Sequence, residues 1–291
     1  MAPSLANSLL GTYLQFLRSP VLSEPPEDIA PSKACGQILY LYTIHFLLVA
    51  LAGVIITQFS GAADESLITD AITDMSAWTL FFAAVVTAPI LEDCFFRLPL
   101  RPFAFNLALP GSMVDRFFTL MIVRPGPLLL FITGMLIGLN LYVWIKRSKV
   151  MIFQPIYRRY GGAIFYFLTL VFGAIHITNY GTGVWALLPL LVMPQVIVSL
   201  WLGFVRIRYG FRWAVFAHAF HNGCLMIPLC LTKLFGSDQL QAYGLEKLDM
   251  ETLTASDQLL VGGLGLYMLA GMVACVFFAW KLLKEWRKSQ Y

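Results

Sequence analysis

Long apolar stretches alternate with short polar ones along most of this chain. A helix that crosses a bilayer needs about 20 mostly apolar residues. Lipid offers the backbone no hydrogen-bond partners, so such stretches favour helices, which bond internally. Stretches of this length lie at 36–59, 77–98, 127–145, 162–180, 184–204, 213–232 and 259–283. We therefore predict an all-α polytopic membrane helix bundle with about seven transmembrane helices, within a range of six to eight.

The N-terminal segment has a different pattern. Residues 5–17 predict a short amphipathic helix at the membrane interface. Residues 19–34 contain four prolines and three acidic residues and predict a loop. The first 17 residues hold no Lys or Arg, so no signal peptide is expected. We divide the chain into an N-terminal interfacial helix and loop, 1–35, and a single membrane domain, 36–291.

Composition supports a membrane location. Hydrophobic residues make up 59% of the chain and charged residues 12%, whereas soluble domains carry about 25% charged residues. The basic residues behind the net charge of +4 flank apolar stretches, as membrane-orienting charges do, so we predict the lipid bilayer and no nucleic acid as partner. The five cysteines are scattered and predict neither a disulfide framework nor a CxxC metal motif.

The basic residues also predict part of the topology. The 146–160 loop, the 205–212 turn and the C-terminal tail are basic, whereas 233–258 is net acidic. The positive-inside rule places the first three in the cytoplasm and the fourth outside. The earlier loops conflict with this order, which leaves open a re-entrant element between 99 and 145 or an additional crossing.

An acidic pair ends the second apolar stretch. Glu92 and Asp93 are adjacent, and Arg97 follows Asp93 by one helical turn. A charge at membrane depth costs several kcal/mol unless it is paired or faces water. Arg97 can hold Asp93 ionised while Glu92 points elsewhere and acts as a general base on water. The alternative is that the span simply ends here and these side chains reach the interface.

Histidines lie in two later apolar stretches. His176 is close to the end of its span, whereas His218 and Asn222 lie one turn apart on one helical face. His221 either shares that face or turns away. The alternatives are a hydrogen-bonded packing role for His176 and interhelical hydrogen bonding for the His218 and Asn222 pair.

Depth is an argument against a single site. If their spans are parallel, His176 and His218 start about 15 Å apart in depth. The two histidines meet only if the helices are staggered or broken. Pro189 and Pro194 predict a break in the intervening span.

Three short patterns appear in order on separate apolar stretches. They are Glu92-Asp93-x-x-x-Arg97, Phe172-x-x-x-His176 and His218-x-x-x-Asn222. Together they resemble the motifs of the CPBP family of intramembrane proteases, which includes CaaX prenyl endopeptidases and bacteriocin self-immunity proteins. The resemblance covers a core of about 77–232. Asp93 replaces the second Glu of the family pattern, and 99–160 is an insertion between the first two motifs.

The resemblance implies an intramembrane endopeptidase that hydrolyses a membrane-associated or lipidated peptide, or a membrane protein. Glu92 would activate water, His176 would help orient it, and His218 with Asn222 would stabilise the oxyanion. Two further residues would support the acid, Asp93 and Arg97. The expected location is the plasma membrane of a prokaryote.

Other hypotheses about the function of the same residues stay open. No cofactor is expected in the glutamate mechanism, but Glu92, His176 and His218 are also a candidate ligand set for zinc. A non-catalytic immunity or scaffold protein of the same fold would keep the helices without the chemistry. A proton-coupled transporter would use the intramembrane Glu and His residues as a relay.

Overall fold

The computed structural model describes residues 8–22, 27–60, 75–101, 154–179, 187–237, 240 and 253–288. Every element within these ranges is helical, which confirms the predicted fold class for this part of the chain. The α-helices are α1 (Leu9–Arg18), α2 (Pro31–Ser60), α3 (Ala77–Phe81), α4 (Ala88–Phe96), α5 (Gln154–Ile175), α6 (Leu188–Leu191), α7 (Met193–Tyr209), α8 (Phe211–Phe235) and α9 (Ala255–Lys288). A π-helical turn, Phe82–Thr87, joins α3 to α4, and 3₁₀ turns follow α4 and α5 at Leu98–Leu100 and His176–Asn179.

Four helices in the described ranges are long and apolar enough to cross a membrane. They are Pro31–Ile56, Ala77–Leu100, Phe211–Phe235 and Ala255–Lys288. Each coincides with a predicted span, so the chain is a membrane protein. The predicted spans at 162–180 and 184–204 correspond to helices α5 and α7, which are not among these four. The span predicted at 127–145 lies outside the described residues, and a total of seven stays a prediction.

Helix α7 forms the centre of the bundle. It packs against α2, α5 and α8, and Trp201, Leu202 and Val205 have no exposed surface. Its start differs from the prediction, because the chain breaks between Leu191 and Met193 and places Pro194 in the first turn of α7. Proline is favoured there, where its missing N–H has no helical partner. A one-residue interruption at Val192 thus lies between the two prolines, and its effect on the depth of the histidines stays a prediction.

Two glycines allow α5 and α7 to approach closely. A Cβ atom at Gly203 would lie 2.5 Å from Cε2 of the buried Phe165, and one at Gly173 would lie 2.5 Å from Cγ2 of Val196. Side chains larger than hydrogen would separate these helices. The close approach places the end of α5 beside the first turn of α7.

A single residue joins α7 to α8. Gly210 has φ 102°, a backbone conformation that glycine adopts without the strain of a Cβ atom. Its N–H bonds to the carbonyl of Arg206 at 3.2 Å, which closes the last turn of α7. This junction starts α8 at Phe211 and thereby sets the depth of His218.

Helix α1 overlaps most of the predicted 5–17 element and extends one residue beyond it. Its N-cap is Ser8, whose Oγ accepts a hydrogen bond from the Gly11 N–H at 2.9 Å. Tyr13 is buried, and its hydroxyl pairs with Nε2 of His45 on α2 at 2.7 Å. Part of α1 therefore packs against the bundle, and its position at a membrane surface stays a prediction.

Candidate active site

The acidic pair lies just after an irregular helical turn. In the π-helical segment Phe82–Thr87, the Ala88 N–H bonds to the carbonyl of Ala83, five residues back. Pro89 follows in the first turn of α4. Such π turns are rare and often mark functional sites. Glu92 and Asp93 come one turn later on α4, and both are buried.

Asp93 contacts two basic side chains. Its Oδ1 lies 3.6 Å from Nε of Arg97 and 3.1 Å from Nδ1 of His218. Asp93 and Arg97 are 0% and 1% exposed, so this pair is shielded from water. The predicted pairing of Asp93 with Arg97 is confirmed, and His218 joins it from α8.

The His218 imidazole lies between both carboxylates of the acidic pair. Nδ1 faces Asp93, and Nε2 lies 3.5 Å from Oε2 of Glu92. An ionised carboxylate only accepts hydrogen bonds, so a protonated His218 would donate towards both acids. With Arg97 included, the formal charges of the four groups then sum to zero. Glu92 thus has its ion-pair contact with His218 on α8, whereas Arg97 contacts Asp93.

One aromatic ring connects the second motif to this quartet. The Arg97 guanidinium lies over the Phe172 ring, 4.2 Å from its centroid. The same ring lies 6.0 Å from the His218 ring and 4.9 Å from the His176 ring, between centroids. Both histidines therefore contact the same Phe172 ring, one from the end of α5 and the other from α8.

His176 itself is partly exposed at the start of a 3₁₀ turn. Its Nδ1 lies 2.8 Å from the carbonyl oxygen of Phe172. A carbonyl only accepts, so Nδ1 carries a hydrogen and Nε2 of the neutral ring has the lone pair. This nitrogen can accept a hydrogen bond from water or substrate.

Asn222 lies one turn beyond His218 on α8 but has a different partner. Its Nδ2 donates to the carbonyl of Ala84, in the π-helical segment, at 2.8 Å. The expected role of Asn222 as an oxyanion donor would use the second hydrogen of the same amide. The structure thus brings together Glu92, Asp93, Arg97 and His218, with His176 beside them and Asn222 against the preceding turn.

Two buried arginines were not predicted as part of this region. Arg206 Nε donates to the carbonyl of Arg97 at 2.8 Å, and Arg101 Nη2 donates to the carbonyl of Ile207. Each side chain thus donates to a carbonyl near the end of the other helical segment. This reciprocal arginine clamp ties the end of the acidic-pair segment to the end of α7. In the sequence, Arg206 looked like an orienting charge of the turn.

His221 resolves an alternative left open by the sequence. Its Nδ1 lies 3.3 Å from the Tyr42 hydroxyl on α2, and the ring is buried. His221 therefore turns away from the acids, although it is only three residues from His218. Tyr42 also packs against Trp201 of α7, so His221 belongs to the contact between α2, α7 and α8.

The described ranges hold no group of three or more His, Cys, Asp or Glu side chains arranged to bind a metal ion. The hypothesis that Glu92, His176 and His218 bind zinc therefore rests on the sequence alone. Comparisons of the chain with protein-family models, curated proteins and solved structures find no match. The motif resemblance is thus the basis on which a family can be proposed.

Proposed function

We propose that this protein is an intramembrane endopeptidase of the CPBP type and that Glu92 activates the attacking water. The observation that carries the proposal is the buried quartet of Glu92, Asp93, Arg97 and His218 inside a bundle of apolar helices. Its members come from two helices separated by more than 100 residues of sequence.

Stability alone is a poor explanation for such a quartet. Replacing a buried ion pair by packed apolar residues is often neutral or stabilising. Ionisable side chains within membrane helices are rare and commonly mark a functional site. The nearby π turn and the partly exposed His176 are further features that active sites often share.

The geometry favours a specific division of roles. Asp93, held by Arg97, orients His218 through Nδ1, and Nε2 of His218 faces the Glu92 carboxylate and positions it. Glu92 takes a proton from a water molecule while the water oxygen attacks the peptide carbonyl carbon. His176 binds that water through Nε2. The tetrahedral intermediate then breaks at the C–N bond as the proton passes from Glu92 to the leaving nitrogen, giving an acid and an amine.

The position of the quartet suggests how substrate arrives. His218 lies eight residues after Gly210, about 12 Å along α8 from the junction with α7. That junction is rich in arginine and is predicted to face the cytoplasm. We therefore propose as substrate a membrane-associated or lipidated peptide whose scissile bond enters from this side. The proposed compartment, a prokaryotic plasma membrane, rests on the family resemblance alone.

The test is peptide cleavage by the purified protein in liposomes. The substrates are a prenylated CaaX peptide, its unmodified form and a transmembrane peptide, each with a fluorescent donor and quencher. Glu92→Gln keeps the size of the side chain but removes the base, and we expect activity to fall by about 10²–10⁴-fold. Glu285→Gln, at an exposed glutamate near the end of α9, is the matched control and should retain activity.

The outcomes separate the alternatives. Loss in Glu92→Gln with an unchanged unfolding temperature supports the proposal. Activity that disappears with a chelator and returns with zinc would replace the glutamate mechanism by a metal one. No cleavage of any substrate, together with proton flux through the liposomes, would favour a transporter.

A further inference from the structure

The backbone of the π-helical segment lacks one hydrogen-bond donor. The Ala88 N–H bonds to Ala83, so it is not available to the carbonyl of Ala84, its partner in a regular α-helix. In the π register that carbonyl would accept from residue 89, but Pro89 has no N–H. A carbonyl without a donor is strongly disfavoured within a membrane-spanning helix, where water is not available to replace the donor. Ala84 therefore needs a donor from outside its own helix.

Asn222 supplies that donor. Its Nδ2 lies 2.8 Å from the Ala84 carbonyl oxygen. We infer that Asn222 is a positioning residue whose amide replaces the N–H that Pro89 lacks and so fixes the register of the acidic-pair helix against α8. An effect of Asn222 on peptide cleavage rests on the proposed function, whereas its hydrogen bond to Ala84 does not.

Two contacts between α8 and the acidic-pair segment explain how Asn222 influences the positions of Glu92 and Asp93. Asn222 holds Ala84, and His218, one turn earlier on α8, contacts Asp93, nine residues further along the chain. A single contact would let one helix rotate about the other, but two contacts at different heights prevent this. Next to Asn222 the two segments are also within van der Waals distance, since a Cβ atom at Gly223 would lie 3.6 Å from Cγ1 of Val85. Release of Ala84 would therefore change how Glu92 and Asp93 meet His218.

The inference is tested by a double-mutant cycle on thermal unfolding of the full chain in detergent. Asn222→Ala should lower the unfolding temperature by about 2–8 °C, because the partly buried Ala84 carbonyl loses its donor. Pro89→Ala restores an N–H, which lets the backbone satisfy Ala84 in either register. In the Pro89→Ala background, we expect Asn222→Ala to cause less than half of that fall. Leu225→Ala, an exposed site on α8, is the control and should show no such dependence on residue 89.

If Asn222→Ala lowers the unfolding temperature equally with Pro89 and with Pro89→Ala, the inference is overturned. Asn222→Leu gives a second test that does not need Pro89→Ala to fold. Its side chain has a similar size and no donor, so the unfolding temperature should again fall. A wild-type unfolding temperature in Asn222→Leu would contradict the tie.

Peptide cleavage adds an arm that depends on the proposed function. A positioning role predicts that Pro89→Ala recovers part of the kcat lost in Asn222→Ala. An equal loss of kcat in both backgrounds would instead indicate a direct oxyanion role. If wild type cleaves no peptide, the proposed function fails, and the unfolding cycle still decides whether Asn222 holds Ala84.

Discussion

At the scale of single residues, Asp93 matters more for stability than its neighbour Glu92. Asp93 is completely buried and contacts both Arg97 and His218, whereas the ion-pair contact of Glu92 is with His218. Removal of one partner of a buried pair leaves the other charge uncompensated, at a cost of about 3–5 kcal/mol.

We therefore expect Asp93→Asn to destabilise the protein much more than Glu92→Gln. Both substitutions replace a carboxylate by an amide of the same size, so the two variants control for each other. Thermal and denaturant unfolding in detergent measure the difference. Similar losses in the two variants would show that the contacts of Asp93 with Arg97 and His218 contribute little.

The residues of the quartet could be found from the sequence because charged groups are rare in apolar stretches. Glu92, Asp93 and Arg97 stand out for that reason, and helical spacing predicts the contact of Asp93 with Arg97. The role of Arg206 could not be found in this way. A basic residue beside a turn has the same pattern whether it orients the chain or bonds to a carbonyl of another helix. The direction in which the Arg206 side chain points depends on the tertiary packing of α7.

At the scale of helices, the contact of α5 with α7 depends on small residues. Gly203→Ala would place a methyl group 2.5 Å from the Phe165 ring, which has no free space because it is fully buried. We expect a loss of about 1–3 kcal/mol in the free energy of unfolding, as for other overpacked cores. The added methyl group should also displace α5, which carries Phe172, and thereby reduce peptide cleavage.

Gly262→Ala on α9 is the matched control for this substitution. A Cβ atom there has no neighbour within 4 Å, so the change should be neutral or slightly stabilising through higher helix propensity. Denaturant unfolding compares the two variants. Equal stability of both would contradict the close approach of α5 and α7.

Helices were easier to predict than their irregular parts. Apolar length predicts α2, α8 and α9, since a span needs a minimum number of residues. The last turn of α7 extends past the predicted end at residue 204, because Arg206 and Ile207 are buried against the acidic-pair segment. The π turn before Pro89 was not predicted. Its local sequence also suits an α-helix, and the donor that permits the π turn comes from α8.

At the scale of the whole molecule, charge separates two ends of the bundle. The α7–α8 junction carries Arg208 and Arg212, and α9 ends in Arg287 and Lys288. Trp213 and Trp286, close to these two positions, pack against the same buried cluster. At the other end, the Ser237 N–H bonds to Asp257 Oδ1 at 2.8 Å and ties the end of α8 to the start of α9.

This arrangement predicts which positions share a side of the membrane. Helix α9 has 34 residues and is about 50 Å long, more than the bilayer core of about 30 Å.

With the native cysteines replaced by alanine, we expect Arg212→Cys and Lys288→Cys to react with a membrane-impermeant maleimide from the cytoplasmic side. Ala255→Cys should react from the opposite side, because basic ends stay in the cytoplasm. The measurement compares right-side-out with inverted vesicles, and reaction of Ala255→Cys together with Lys288→Cys would contradict a crossing by α9. It would also remove the argument that substrate reaches His218 from the arginine-rich end.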